Sequence, residues 1–141
     1  MSKVAFIFPG QGAQYVGMGK DFYDKFTVSR EVYEEANKSL NIDIAKLCFE
    51  GPDEELVKTE NTQPAILTTS VAMMKALENE GIDCDYTAGL SLGEYTALVK
   101  SKTFKFKDAV KLVKKRGKYM QEAVPEGKGG MALILDMYWK L

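Results

Sequence analysis

The run Val4-Ala-Phe-Ile-Phe8 sets five apolar residues in succession and stops at Pro9-Gly10. An unbroken apolar run of this length reads as a strand buried on both faces, as in a parallel sheet. Beyond Gly10, helical and strand signals alternate along the chain. Helical stretches are expected around residues 18–38 and near Ile42–Phe49, the second closed by Gly51-Pro52. Pro64 suits the first turn of a helix running to about Glu80, with Asn61 or Thr62 as its cap and Gly81 as its end. Along it Ile66, Leu67, Val71, Met74 and Leu77 recur at helical spacing. Tyr86–Leu90 is a second strand candidate, Leu92–Lys100 a helix, and Phe106 to about Ala123 another helix. Pro125-Glu-Gly-Lys-Gly-Gly130 reads as a loop or hinge, and Met131–Leu135 begins a further strand. The expected class is therefore α/β with a parallel sheet.

At 141 residues the chain suffices for one domain with a real core. No apolar run approaches the roughly 18 residues of a membrane span, and the N-terminal run is too short for a signal peptide. Cys48 and Cys84 show no CxxC or metal-ligand spacing, which fits small buried thiols in a reducing cytoplasm. Charge is uneven. Residues 1–99 hold 8 basic and 16 acidic side chains (8 − 16 = −8), and residues 100–141 hold 11 and 4 (11 − 4 = +7). The basic half is either a solvated helix face or a surface for an anionic partner.

Chemistry concentrates in Gly89-Leu-Ser-Leu-Gly93. A Gly-x-Ser-x-Gly motif on a sharp strand-to-helix turn lifts the serine out as a nucleophile. Here the motif lies between a strand candidate and a helix candidate. The two glycines remove side chains where strand and helix approach, and the Leu92 backbone N–H points toward an oxyanion forming beside Ser91. The alternative is a capping box, Ser91 with Glu94 three residues on. The loop Pro9-Gly10-Gln11-Gly12 comes after the first strand, where parallel sheets bind ligands. It is either a plain tight turn or a place where the Gln11 N–H approaches a bound carbonyl. On a helical wheel of residues 106–124, Leu112, Ala123, Ala109, Met120, Val113, Phe106, Val124, Gly117 and Val110 fill one arc. Arg116 is the single charge inside it. A core-facing arginine needs a partner, either a buried acid of the protein or a substrate carboxylate gripped through two hydrogen bonds.

GQGAQ after the first strand, TQPAI at 62–66, GLSLGEY at 89–95 and KRGKYMQEAVP at 115–125 together resemble the malonyl-CoA:acyl carrier protein transacylases of fatty-acid synthesis. The resemblance runs from Val4 to about Leu135. It implies Ser91 as nucleophile, the Gln11 and Leu92 backbone N–H groups as oxyanion donors, Arg116 as malonate-binding residue and Gln63 as a pocket residue. It implies a malonyl-serine intermediate and transfer from malonyl-CoA to the phosphopantetheine thiol of acyl carrier protein. No metal or bound cofactor is called for, since the coenzyme A thioester is itself the substrate, and no nucleic acid or membrane partner is expected. The implied fold is an α/β-hydrolase-like subdomain carrying a ferredoxin-like one. Residues 1–125 would be a partial first subdomain, and 126–141 a hinge and the first strand of a truncated second.

Two departures qualify this. The family commonly has histidine just before the serine, where Leu90 stands, and its catalytic histidine lies beyond this length. The chain has no histidine at all, so it is expected to be a truncated, impaired member. Two rivals remain open in the sequence: a serine hydrolase or thioesterase whose acceptor is water, and a non-catalytic piece or binding module.

Overall fold

The computed structural model describes residues 2–124 and 127–129. Within them the chain forms β1 (Ala5–Phe8), α1 (Lys20–Lys25), α2 (Thr27–Leu40), α3 (Ile44–Glu50), α4 (Asp53–Leu56), α5 (Thr59–Asn79), β2 (Tyr86–Gly89), α6 (Leu92–Lys100) and α7 (Phe106–Ala123). The strands pair in parallel, Ala5 opposite Tyr86 and Phe8 opposite Gly89. The described fold is thus mixed α/β, mostly helical around a small parallel sheet. The expected strand Met131–Leu135 lies outside the described residues, and of the segment 126–141 only 127–129 are described.

The first strand corrects the expectation of burial on both faces. Side chains alternate across a strand, so Phe6 and Phe8 point into the helical core while Ile7 is 78% exposed. Its partner repeats the pattern, with Tyr86 also exposed. Among the described residues, helices cover one face of the sheet and leave the other open.

The core gathers around α5, whose residues Thr62 to Ala72 are all buried. A helix buried all round must satisfy its polar side chains internally. Thr62 Oγ1 donates to the Leu56 carbonyl at 2.6 Å, Thr68 Oγ1 to the Pro64 carbonyl at 2.7 Å, and Thr69 Oγ1 pairs with the Tyr33 hydroxyl at 2.8 Å. Ser29 Oγ of α2 donates to the Ala72 carbonyl at 2.8 Å.

The start of α5 differs from the sequence reading. The helix begins at Thr59, and Pro64 sits inside it. Asn61 and Thr62 do not cap it. They reach back to the Glu55 and Leu56 carbonyls of α4 and fasten the two helices together. Its far end is as expected. Gly81 has φ +79°, and the bonds Ile82 N–H to Leu77 and Gly81 N–H to Glu78 close the helix in a Schellman arrangement.

At the end of α6, Lys100 donates to Glu78 and Asp83, both at 2.5 Å, and lies 5.5 Å over the Phe6 ring. It ties α5, α6 and β1 together. Burial works against ionisation of Glu78, yet the bonds from Lys100 and Lys75 outweigh it and hold its pKa below the usual carboxylate value. The Lys100 bond holds that of Asp83 down as well.

Helix α7 buries only part of its apolar arc: Ala109, Val110, Val113 and Gly117. Leu112 and Val124 are exposed. With Lys115, Arg116, Tyr119, Met120 and Ala123, Leu112 lines an open, mostly apolar depression of about 390 Å³.

Candidate active site

The turn between β2 and α6 is tight because two glycines permit it. A Cβ at Gly89 would lie 2.0 Å from the carbonyl carbon of Gly93, and one at Gly93 would lie 2.2 Å from the Phe8 carbonyl oxygen. No side chain fits either place, so β2, α6 and β1 cross at backbone contact. The Gly93 N–H closes the turn onto the Leu90 carbonyl at 2.9 Å. Ser91 is then held at φ 54°, ψ −101°, the first central position of a type II′ turn, which glycine ordinarily fills. Its side chain makes no cap bond, so the capping-box alternative does not hold. Ser91 is exposed at the head of α6, and Leu92 directly behind it is fully buried.

The first loop abuts this turn. A Cβ on Gly10 would lie 2.8 Å from the Leu90 carbonyl oxygen, and the Leu90 N–H donates to the Phe8 carbonyl at 3.1 Å. Gln11 therefore leaves the end of β1 beside Ser91. Neither the Gln11 nor the Leu92 N–H donates to a backbone carbonyl among the described residues.

The remaining predicted residues are joined by side-chain hydrogen bonds. Arg116 Nη2 donates to Ser91 Oγ at 3.0 Å, and Nη1 donates to Gln63 Oε1 at 2.5 Å. Gln63 Nε2 donates to Gln11 Oε1 at 2.9 Å, and Gln11 Nε2 donates to Thr59 Oγ1 at 3.2 Å. Gln63 is 1% exposed, so its amide is held in the core and aimed outward at Arg116. The structure thus brings Ser91, Leu92, Gln11, Gln63 and Arg116 to one place.

Arg116 itself is a correction in part. It is half-buried rather than sunk in a core, because its neighbours Leu112, Met120 and Ala123 face the open depression. No carboxylate pairs with it among the described residues, which removes the buried-acid alternative there. Its guanidinium instead lies 5.6 Å over the ring of Tyr95. The sequence reading names neither Tyr95 nor Thr59 as a site residue. Tyr95 stands four positions after Ser91, one helical turn along the same face of α6, and that spacing was the available signal. Thr59 opens α5, ahead of the start that Pro64 suggests. No His, Cys, Asp and Glu cluster suited to a metal occurs among the described residues.

Residues 5–140 match the family described as the acyl transferase domain. The chain belongs to that family. Within it, the chain is 52% identical over 137 residues to the malonyl CoA-acyl carrier protein transacylase of Bacillus subtilis (strain 168), covering 97% of this chain and 43% of that protein. It is 49% identical over 138 residues to the Escherichia coli (strain K12) enzyme of the same name, covering 97% of this chain and 45% of that one. Among solved structures, the malonyl CoA-acyl carrier protein transacylase from Clostridium perfringens Atcc 13124 superposes with a TM-score of 0.85 at 56% identity, over 89% of this chain and 40% of that one. A malonyl-transacylase solved in complex with its type II PKS acyl-carrier protein matches with a TM-score of 0.85 at 47% identity, over 89% and 41%. The chain spans less than half the length of each of these relatives. No helix among its described residues is long and apolar enough to cross a membrane.

Proposed function

We propose that this chain carries the nucleophile and the acyl-binding groups of a malonyl-CoA:acyl carrier protein transacylase. One observation carries the reading. A guanidinium that pairs with no carboxylate among the described residues stands 3.0 Å from a serine hydroxyl raised on a tight strand-to-helix turn. In a malonyl thioester the reactive carbonyl and the free carboxylate are separated by a single methylene. A nucleophile and a cation in hydrogen-bond contact suit such a short acid and disfavour a neutral acyl group.

Ser91 Oγ attacks the thioester carbonyl, the C–S bond breaks, and coenzyme A leaves as its thiol. The Gln11 and Leu92 N–H groups stabilise the oxyanion. Arg116 grips the carboxylate, and Gln63 fixes Arg116. The phosphopantetheine thiol of acyl carrier protein then attacks the malonyl-serine ester, and Ser91 regains its proton. The thioester brings its own pantetheine, so no metal or bound cofactor enters the scheme. The free thiols Cys48 and Cys84 suit a cytoplasmic setting.

The attack needs a base, and these 141 residues hold no histidine. We expect the base from a segment equivalent to the part of the relatives that this chain does not cover. The 141 residues alone should then transfer malonyl slowly, because the members of a serine catalytic unit act together.

The test is covalent labelling of the purified chain with malonyl-CoA and acetyl-CoA, followed by intact-mass and peptide mass spectrometry. Slow malonylation at Ser91 is expected, in preference to acetylation, with the preference erased by Arg116→Ala. Labelling elsewhere, or equal labelling by both thioesters, would overturn the reading. Release of free malonate faster than transfer to a carrier thiol would make the chain a hydrolase instead.

A further inference from the structure

We infer that Tyr95 is a positioning residue for the substrate carboxylate: its ring face orients the Arg116 guanidinium toward Ser91 without consuming its charge. The inference rests on reading Arg116 as the carboxylate site. Among the described residues three groups hold Arg116, and all three are neutral: the Gln63 amide oxygen, the Ser91 hydroxyl and the Tyr95 ring. Lys100 in the same molecule provides the contrast. It also lies over an aromatic ring, that of Phe6, but Glu78 and Asp83 neutralise it, and its role is to fasten helices together.

An acidic side chain beside Arg116 would orient it equally well but would compete with any incoming carboxylate. A ring attracts the cation through its quadrupole and leaves the charge unpaired. Tyr95 is itself steadied by packing against the core. Because it lies one helical turn beyond Ser91, a single helix presents both the nucleophile and the platform that aims the cation. The separation of Ser91 from Arg116 is then set by α6 and does not wait on substrate.

The test is an NMR titration of the full 141-residue chain with malonate, with uncharged malonamide as control, following the Arg116 side-chain and Tyr95 ring resonances. Wild type should bind malonate saturably and malonamide not at all. Tyr95→Phe, which keeps the ring face, should bind malonate within about two-fold of wild type. Tyr95→Leu should weaken it about five-fold, the size expected of a half-buried cation–π contact. The ratio of malonyl to acetyl labelling at Ser91 should fall with it. Undiminished affinity in Tyr95→Leu overturns the inference while leaving the proposed function intact. No saturable malonate binding by wild type, or binding unchanged in Arg116→Ala, overturns the function reading itself. Should Tyr95→Leu fail to fold, the wild-type spectrum decides. Ring-current shifts on the Arg116 side-chain protons are expected, and their absence would show that the stack does not exist in solution.

Discussion

The backbone at Ser91 can be tested separately from its hydroxyl. Ser91 is held at φ 54°, ψ −101°, in a region where residues with a Cβ are strained by about 1–3 kcal/mol. Glycine would escape that strain, though it gives up about 0.5–1 kcal/mol through the freedom of the unfolded chain. Ser91→Gly and Ser91→Ala both remove the hydroxyl, so its contacts cancel when the two are compared. The glycine variant is expected to be the more stable by about 0.5–2 kcal/mol. For a domain of this size that is a gap of about 2–8 °C in Tm. Against wild type, Ser91→Ala should lie within about 1 kcal/mol, because Oγ makes no cap bond and loses only the bond from Arg116. An ordinary serine cap differs in where glycine falls: there it lies a few tenths of a kcal/mol below wild type, whereas release of the strain should bring Ser91→Gly level with wild type or above it. Thermal melts of the three proteins by far-UV circular dichroism are sufficient. An alanine variant as stable as the glycine variant would refute the strain. A loss above about 3 kcal/mol in Ser91→Ala would mean that the hydroxyl holds the fold.

Packing and charge give two more expected outcomes. Gly93→Ala puts a Cβ 2.2 Å from the Phe8 carbonyl oxygen, so α6 must retreat from β1. Even with alanine's better helix propensity, a net loss of about 1–3 kcal/mol is expected in chemical denaturation, and a gain would contradict the close crossing. Glu78 and Asp83 have folded pKa values held below the ordinary carboxylate range. Their stabilising contribution is therefore complete above the unfolded values near pH 4 and is lost as pH falls through the folded values. Stability measured from about pH 6 down to 3 should decline, and Lys100→Met should flatten that decline; an equally steep slope in the variant would deny the clamp.

Most elements were legible because their signals are local. The apolar run before Pro9, the glycine at position 81 and the Gly-x-Ser-x-Gly turn each report on a few neighbouring residues, and β1, the end of α5 and the start of α6 lie where those signals put them. The misreadings came from contacts distant in sequence. Asn61 and Thr62 looked like caps because their side chains seek nearby backbone groups, and they do so, but on α4 rather than α5. Ile7 looked buried because its run is apolar, yet apolarity does not say whether a second layer covers it. Arg116 was placed correctly within the apolar arc. The wheel does not reveal that half of this arc stays open, so that Arg116 borders an open depression and reaches Ser91 Oγ with Nη2.

Gly117 shows how packing and site became one problem for this sequence. A Cβ there would lie 2.7 Å from the Thr59 carbonyl oxygen, 2.8 Å from the Glu60 Cα and 3.0 Å from the Gln63 Cγ. The missing side chain lets α7 press against the first turns of α5. Arg116, the preceding residue, is thereby carried over the buried Gln63 amide and within reach of Ser91. The same crossing brings Thr59 into range of Gln11, which fastens the loop after β1 to the foot of α5. Gly89 and Gly93 do the corresponding work between β2, α6 and β1. Gly117 reads in sequence as a gap in a helix, whereas Gly89 and Gly93 already read as places where strand and helix approach. In the fold each is a place where two backbones touch, and groups beside those contacts (the Ser91 hydroxyl, the Leu92 N–H and the Arg116 guanidinium) are proposed to meet the substrate. The site therefore rests on backbone crossings, and the one at Gly117 is of a kind that an apolar pattern does not record.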